Sequence, residues 1–186
     1  MGLYGVRKYL HTREMLQRDF FERPTLVVAR ELLGKYLVRK VGRKTTALLI
    51  TETEAYDGFH DKASHASHGQ TPRNTPMFGE AGTVYVYFTY GMHWMLNIVC
   101  GKEKYPAAVL IRGAGTIEGP ARLTKALSIN KRLNNKKLSK KTGLWIEDRG
   151  VRVHPKNIKR TPRIGVAYAG KWAKKPWRFV YENIRN

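Results

Sequence analysis

Residues 82–99 read GTVYVYFTYGMHWMLNIV, the strongest β signal in the chain. β-Branched and aromatic residues fill the stretch, and such side chains suit a pleated, half-buried surface. Side chains alternate faces along an extended chain. Tyr85 and Tyr87 are therefore expected on one face, with Val84, Val86, Phe88 and Tyr90 on the other, and Gly91 marks a bend.

Upstream, KYLVRKV (35–41) and TALLITETEAY (46–56) flank the turn residues GRK and predict an antiparallel hairpin. By the same alternation Leu48, Ile50, Glu52, Glu54 and Tyr56 point one way. Leu49, Thr51, Thr53 and Ala55 point the other. Before the hairpin a helix is expected from Pro24 to Leu33, because proline suits a first helical turn and Gly34 suits the position just past the end. Residues 1–18 carry mixed charge with weak periodicity and read as a poorly anchored arm. Residues 57–82, rich in Gly, His, Pro, Ser and Thr, form a long connection of the kind that carries function.

Downstream, AAVLIRGAG (107–115) is a further strand that ends on Arg112 beside small residues. GPARLTKALSIN (119–130) is a short helix opened by Pro120, with Leu123 and Leu127 four apart. LWIEDRG (144–150) is a short strand within a segment, 131–160, that holds eleven Lys or Arg and two acids. IGVAYAGKWAKKPWRFVY (164–181) interleaves apolar and basic residues. This order predicts one α+β domain over 19–186: a mixed domain with a curved antiparallel β-sheet flanked by helices, not alternating βαβ units.

Lys and Arg number 35 against 14 Asp and Glu, a formal net charge of +21 spread along the chain. That field favours a polyanion as partner. The hydrophobic fraction of 42% sets the chain apart from a disordered basic tail. No apolar run is long enough to span a bilayer, and the N-terminus lacks the apolar core of a signal peptide. Cytoplasm or nucleoid is the expected location. Cys100 is the only cysteine, which excludes an intrachain disulfide and cysteine-based zinc sites. It reads as a small buried hydrophobe.

Three features carry chemistry. Glu52 and Glu54 lie two apart near a strand end, where water can reach a well-placed side chain. They are open to three readings: surface ion pairs, a general base lodged among aromatics that activates water, or a glycosidase carboxylate pair. His60, Asp61, His65 and His68 bunch closely enough to suggest a metal, yet their spacing fits no HExxH-type pattern and a loop supplies them. The tyrosines of 84–90 are either sheet core or rings that stack on bases, and an exposed ring at a bend can wedge into a base step. Basic surface, aromatics and a carboxylate together fit an enzyme that lifts a base out of a duplex. The competing classes are a non-catalytic nucleic-acid-binding protein and a metal-dependent nuclease built on the histidines.

TETEAY, QTPRNTPMF, GTVYVYFTYGMHWMLNIV, GPARLTKALSIN and RIGVAYAGKWAKKPWRF resemble, in order, the blocks of the alkyladenine (3-methyladenine, methylpurine) DNA glycosylases of the mammalian type, over residues 19–179. The resemblance implies Glu54 as the base that deprotonates water and Arg112 as the arginine that holds that water, together with a main-chain carbonyl near Ile164. It implies that Tyr56, His65 and Tyr87 enclose a flipped purine and that Asn97 stands at the pocket floor against guanine's amine. Tyr90 would fill the gap in the duplex, with Met92 packed at the same turn. Glu52 is left as a structural partner to a cation. The implied activity is hydrolysis of the N-glycosidic bond of damaged purines in double-stranded DNA by a monomeric enzyme without metal or cofactor. No lysine stands among the matched positions, so no lyase step is expected.

Overall fold

A computed structural model describes residues 13–182. In chain order its elements are β1 (Glu14–Met15), α1 (Arg18–Phe21), α2 (Thr25–Glu31), β2 (Tyr36–Val41), β3 (Lys44–Asp57), β4 (Val84–Thr89), β5 (His93–Val99), β6 (Ala107–Ala114), β7 (Ile117–Glu118), α3 (Pro120–Ala126), β8 (Leu144–Asp148), β9 (Ile158–Thr161) and β10 (Arg178–Tyr181). The connection between β3 and β4 is shaped by 3-10 turns at His65–His68 and Thr75–Phe78.

The strands join in the order β1-β8-β2-β3-β6-β5-β4, with β10 added to β3 and β9 to β10. Every named pairing is antiparallel, so the α+β class with an open antiparallel sheet holds. β3 is the spine. Its first half pairs with β2, in the register Leu37↔Leu48, and its second half lies between β6 and β10, with Tyr56 opposite Ala108 and Glu54 opposite Arg178.

Simple alternation along β3 fails at its centre. The register against β6 shifts on both sides of Glu52, and a bulge of this kind bends the strand and breaks the two-residue period. Ile50 is fully buried in the main core with Ala55, and Thr53 Oγ1 donates to Ala29 O of α2 at 2.7 Å. The core face therefore runs Ile50, Thr53, Ala55. Glu52, Glu54 and Tyr56 keep the opposite face, but Ile50 does not share it. Gly113 permits the kink: a Cβ there would lie 2.9 Å from Thr51 Oγ1 and 3.2 Å from Glu52 Cβ.

The core lies between this sheet and the helices. Val28, Ala29 and Leu32 of the α2 turn pack with Ile50, Val109 and Ile111, and Leu123 of α3 belongs to the same cluster. The expected helix forms as Thr25–Glu31 with Pro24 as its N-cap. Pro24 itself is extended at ψ 135, so it stands just outside the helix. The 82–99 stretch is extended as expected through Thr89, and at the bend expected near Gly91 it folds back so that β5 pairs antiparallel with β4. Tyr90, expected to continue the alternation, instead enters the turn at φ +52, followed by Gly91 at φ +67. Of the expected arm, residues 1–12 lie outside the described residues, whereas Glu14 and Met15 pair with Asp148 and Glu147 of β8.

Candidate active site

One face of the central strands opens into a cavity of about 450 Å³. β3 contributes Tyr56, β4 Tyr85 and Tyr87, β5 Asn97, β6 Arg112, and the 3-10 turn His65. Ile164 and Tyr168 come from the segment before β10, and Tyr90 from the β4–β5 turn. These residues are far apart in the chain. Antiparallel pairing of β3, β6, β5 and β4 sets their strands side by side.

Glu54 is 0% exposed, not open at the surface as its place near a strand end suggested, and the groups that contact it, Tyr56, Arg112 and Ile164, line the cavity. Both of its oxygens are held. Oε2 accepts from the Tyr56 hydroxyl at 2.9 Å, and Oε1 accepts from the Ile164 backbone N–H at 2.8 Å. Arg112 Nε stands 3.4 Å from Oε1. Burial pushes the Glu54 pKa above the ordinary carboxylate range, against the opposing pull of Arg112, the Ile164 amide and the Tyr56 hydroxyl. A carboxylate raised in this way is a stronger base when ionised.

Glu52 takes a different part. Its Oε1 accepts from Arg112 Nε at 2.7 Å and from Arg178 Nε at 2.6 Å. It anchors two cations, one of them the arginine that faces Glu54.

The aromatic lining is interlocked. His65 Nδ1 and the Tyr85 hydroxyl are 2.9 Å apart, and the His65 and Tyr87 rings meet edge to face with centroids 4.5 Å apart. Burial, with a smaller push from the Arg73 charge, lowers the His65 pKa to about 4, so the imidazole is neutral at neutral pH. Burial also raises the Tyr56 hydroxyl well above its usual range, and Tyr87 to about 12. At neutral pH the lining therefore offers neutral ring faces and hydroxyls. Arg73 lies over the Tyr87 ring at 5.1 Å and donates to Phe88 O at 3.0 Å. Asn97 is buried and donates through Nδ2 to Tyr85 O at 3.2 Å.

Tyr90 and Met92 are exposed by 78% and 66%, apolar side chains projecting from the β4–β5 turn. Tyr168, also exposed, is tethered by its hydroxyl, which donates to Ala63 O at 3.1 Å. Cys100 is buried in the main core.

The histidine cluster disperses. His60 and His68 are exposed, His65 joins the cavity, and Asp61 is fully buried against Arg163. Among the described residues no three His, Cys, Asp or Glu side chains converge as a metal site. No helix among them is long and apolar enough to cross a membrane. Sequence reasoning did not single out Arg163, Arg178 or Arg73 for the site, and it left Tyr85 open between sheet core and stacking ring. Arg163 had one pointer, its place directly before Ile164 in the RIGVAYAGKW block.

Fold and site define an α+β protein with an open antiparallel sheet, in which an aromatic cavity meets a buried carboxylate flanked by arginine. The chain belongs to the methylpurine-DNA glycosylase family of DNA-repair enzymes, whose profile matches residues 19–118 and 115–185. A relative from Methanocella arvoryzae is 48% identical over 189 residues, covering 91% of this chain and 93% of its own. One from Anaeromyxobacter dehalogenans is 45% identical over 173 residues (89% and 82%), and one from Myxococcus xanthus 45% over 172 residues (88% of each chain). All three carry the provisional name 3-methyladenine DNA glycosylase.

Proposed function

We propose that this protein is a monofunctional glycosylase that flips damaged purines, among them 3-methyladenine, 7-methylguanine, hypoxanthine and ethenoadenine, out of double-stranded DNA and hydrolyses the N-glycosidic bond. The observation that carries the proposal is the pairing of Glu54, fixed by Tyr56 and Ile164, with an aromatic cavity of about 450 Å³. The relatives' name supports 3-methyladenine as a substrate, and the block pattern supports the mammalian type of site. The enzyme works as a monomer in the cytoplasm or nucleoid, with no metal or cofactor in its reaction.

In this reading Tyr56 and Tyr87 stack on the flipped purine, His65 bonds near sugar and base, and Asn97 disfavours guanine at the pocket floor. Tyr90 fills the vacated position in the duplex, supported by Met92. Glu54 takes a proton from a water held by Arg112 and a carbonyl near Ile164. The water oxygen bonds to the anomeric carbon, and the electron pair of the C–N bond leaves with the base. A cationic base such as 3-methyladenine departs neutral and needs no acid.

Base extrusion favours lesions because a damaged, weakly paired nucleotide leaves the stack at lower cost. No lysine lines the cavity among the described residues, which supports a hydrolase without lyase activity. Incubation of a hypoxanthine-containing duplex with the enzyme tests this directly. Free hypoxanthine with strand breaks only after hot alkali is the expected result, and breaks without alkali would contradict it.

A further inference from the structure

Arg163 and Asp61 form an ion pair with both side chains 0% exposed, 102 residues apart in the chain. Arg163 presents its guanidinium as a fork. Nη1 donates to Asp61 Oδ2 and to Ala55 O at 2.8 Å, and Nη2 donates to Asp61 Oδ1 at 2.8 Å. Asp61 in turn accepts backbone N–H groups from Asp57 at 3.2 Å and Ala63 at 3.1 Å. The pair thus fastens the 57–63 loop and strand β3 to the segment that follows β9. Lysine offers no such planar fork.

What this pair touches is the support of Glu54. The Arg163 guanidinium lies over the Tyr56 ring at 4.8 Å, and Tyr56 bonds one Glu54 oxygen. Ile164, the next residue in the chain, bonds the other. Both hydrogen bonds to the carboxylate therefore come from groups that Arg163 adjoins, one through its ring face and one through the backbone. Arg163 Nε is buried without a hydrogen-bond partner among the described residues, a cost the fold bears to hold the fork in this orientation.

We propose that Asp61–Arg163 is a positioning pair that fixes the geometry of Glu54 through Tyr56 and the Ile164 amide. The inference rests on Glu54 being the base of the proposed reaction. A buried ion pair is by itself weak evidence for a stabilising role, because well-packed apolar residues often replace one without loss of stability. Its value here is geometric.

The test uses Asp61→Asn, Arg163→Lys and the double replacement Asp61→Leu with Arg163→Met, which removes both charges together and leaves neither unpaired. Single-turnover release of hypoxanthine from a duplex is measured against pH, alongside binding to a duplex that carries an uncleavable abasic analogue and the fraction of protein folded. Misplaced reacting groups cost on the order of 100-fold in rate, so the double variant is expected to lose about that much with binding kept. Arg163→Lys should retain part of the rate. With Arg112, Glu52 and Tyr87 still around Glu54, loss of the Tyr56 and Ile164 bonds should move the acid limb of the profile to higher pH.

Wild-type rate and acid limb in a folded double variant would overturn the proposal. So would a rate that falls only in proportion to the folded fraction, since that marks a purely structural pair. Failure of the underlying reading looks different: the wild-type protein would release no base, or Glu54→Gln would release it normally.

Discussion

Arg112 Nε donates to Glu52 at 2.7 Å and stands 3.4 Å from Glu54: the arginine beside the proposed base is anchored by the carboxylate two residues away. Replacement of Glu52 by Ala frees Arg112 to turn fully to Glu54 and removes a negative neighbour that helps keep the Glu54 pKa raised. The acid limb of base release should move to lower pH, and the rate on its plateau should fall as Glu54 becomes a weaker base. Arg112 and Arg178 would lose a mostly buried partner, which costs about 3 kcal/mol in such sites. Thermal denaturation and a pH–rate profile check both effects.

In the wild-type protein the acid limb itself should lie above the ordinary carboxylate range, because burial raises Glu54 and the proposed reaction needs it ionised. His65 should add no inflection near neutrality, since its pKa lies at about 4. The two groups leave opposite marks on stability. The unfolded chain protonates His65 first, so its contribution is full above pH 6.5 and is lost as pH falls through about 4. Glu54, raised in the fold, contributes fully below its unfolded value of 4.5 and loses that contribution as pH rises through its folded pKa. Denaturant unfolding of His65→Gln should be the less sensitive to acid between pH 6.5 and 4.

Tyr90 is 78% exposed at positive φ in the β4–β5 turn. Tyr90→Ala should leave stability within about 0.5 kcal/mol of wild type, the usual range for exposed positions. Binding to a duplex with a flipped-base analogue should weaken all the same. Paired melting and fluorescence-anisotropy measurements separate the two; equal loss of both would assign Tyr90 to the fold.

Binding should be steeply salt-dependent. With a formal net charge of +21, contact with six or more phosphates would lower affinity by a factor on the order of a thousand over a few-fold rise in salt. A shallow log–log slope in a salt titration would contradict phosphate contact on that scale.

Much of this was legible in the sequence because it is local. The β stretches of 82–99, the 35–56 hairpin and the Pro120 helix follow from alternation, turn residues and capping, and the structure has all three. Tyr87, His65, Asn97 and Arg112, which the resemblance named, line one cavity. What stayed hidden depends on register or distant partners. The bulge that turns Ile50 away from Glu52 exists only against β6. Asp61 looked like a loop acid near histidines because Arg163, its partner, lies 102 residues further on. The glutamate expected at a strand end is instead buried against Tyr56 and Ile164, through contacts that alternation cannot show.

The proposed reaction stands on Glu54 as the base. Single-turnover release of 3-methyladenine or hypoxanthine by Glu54→Gln, with binding to the same duplex measured in parallel, tests it most directly. Release is expected to collapse while affinity for the lesion survives. Release at the wild-type rate would contradict it.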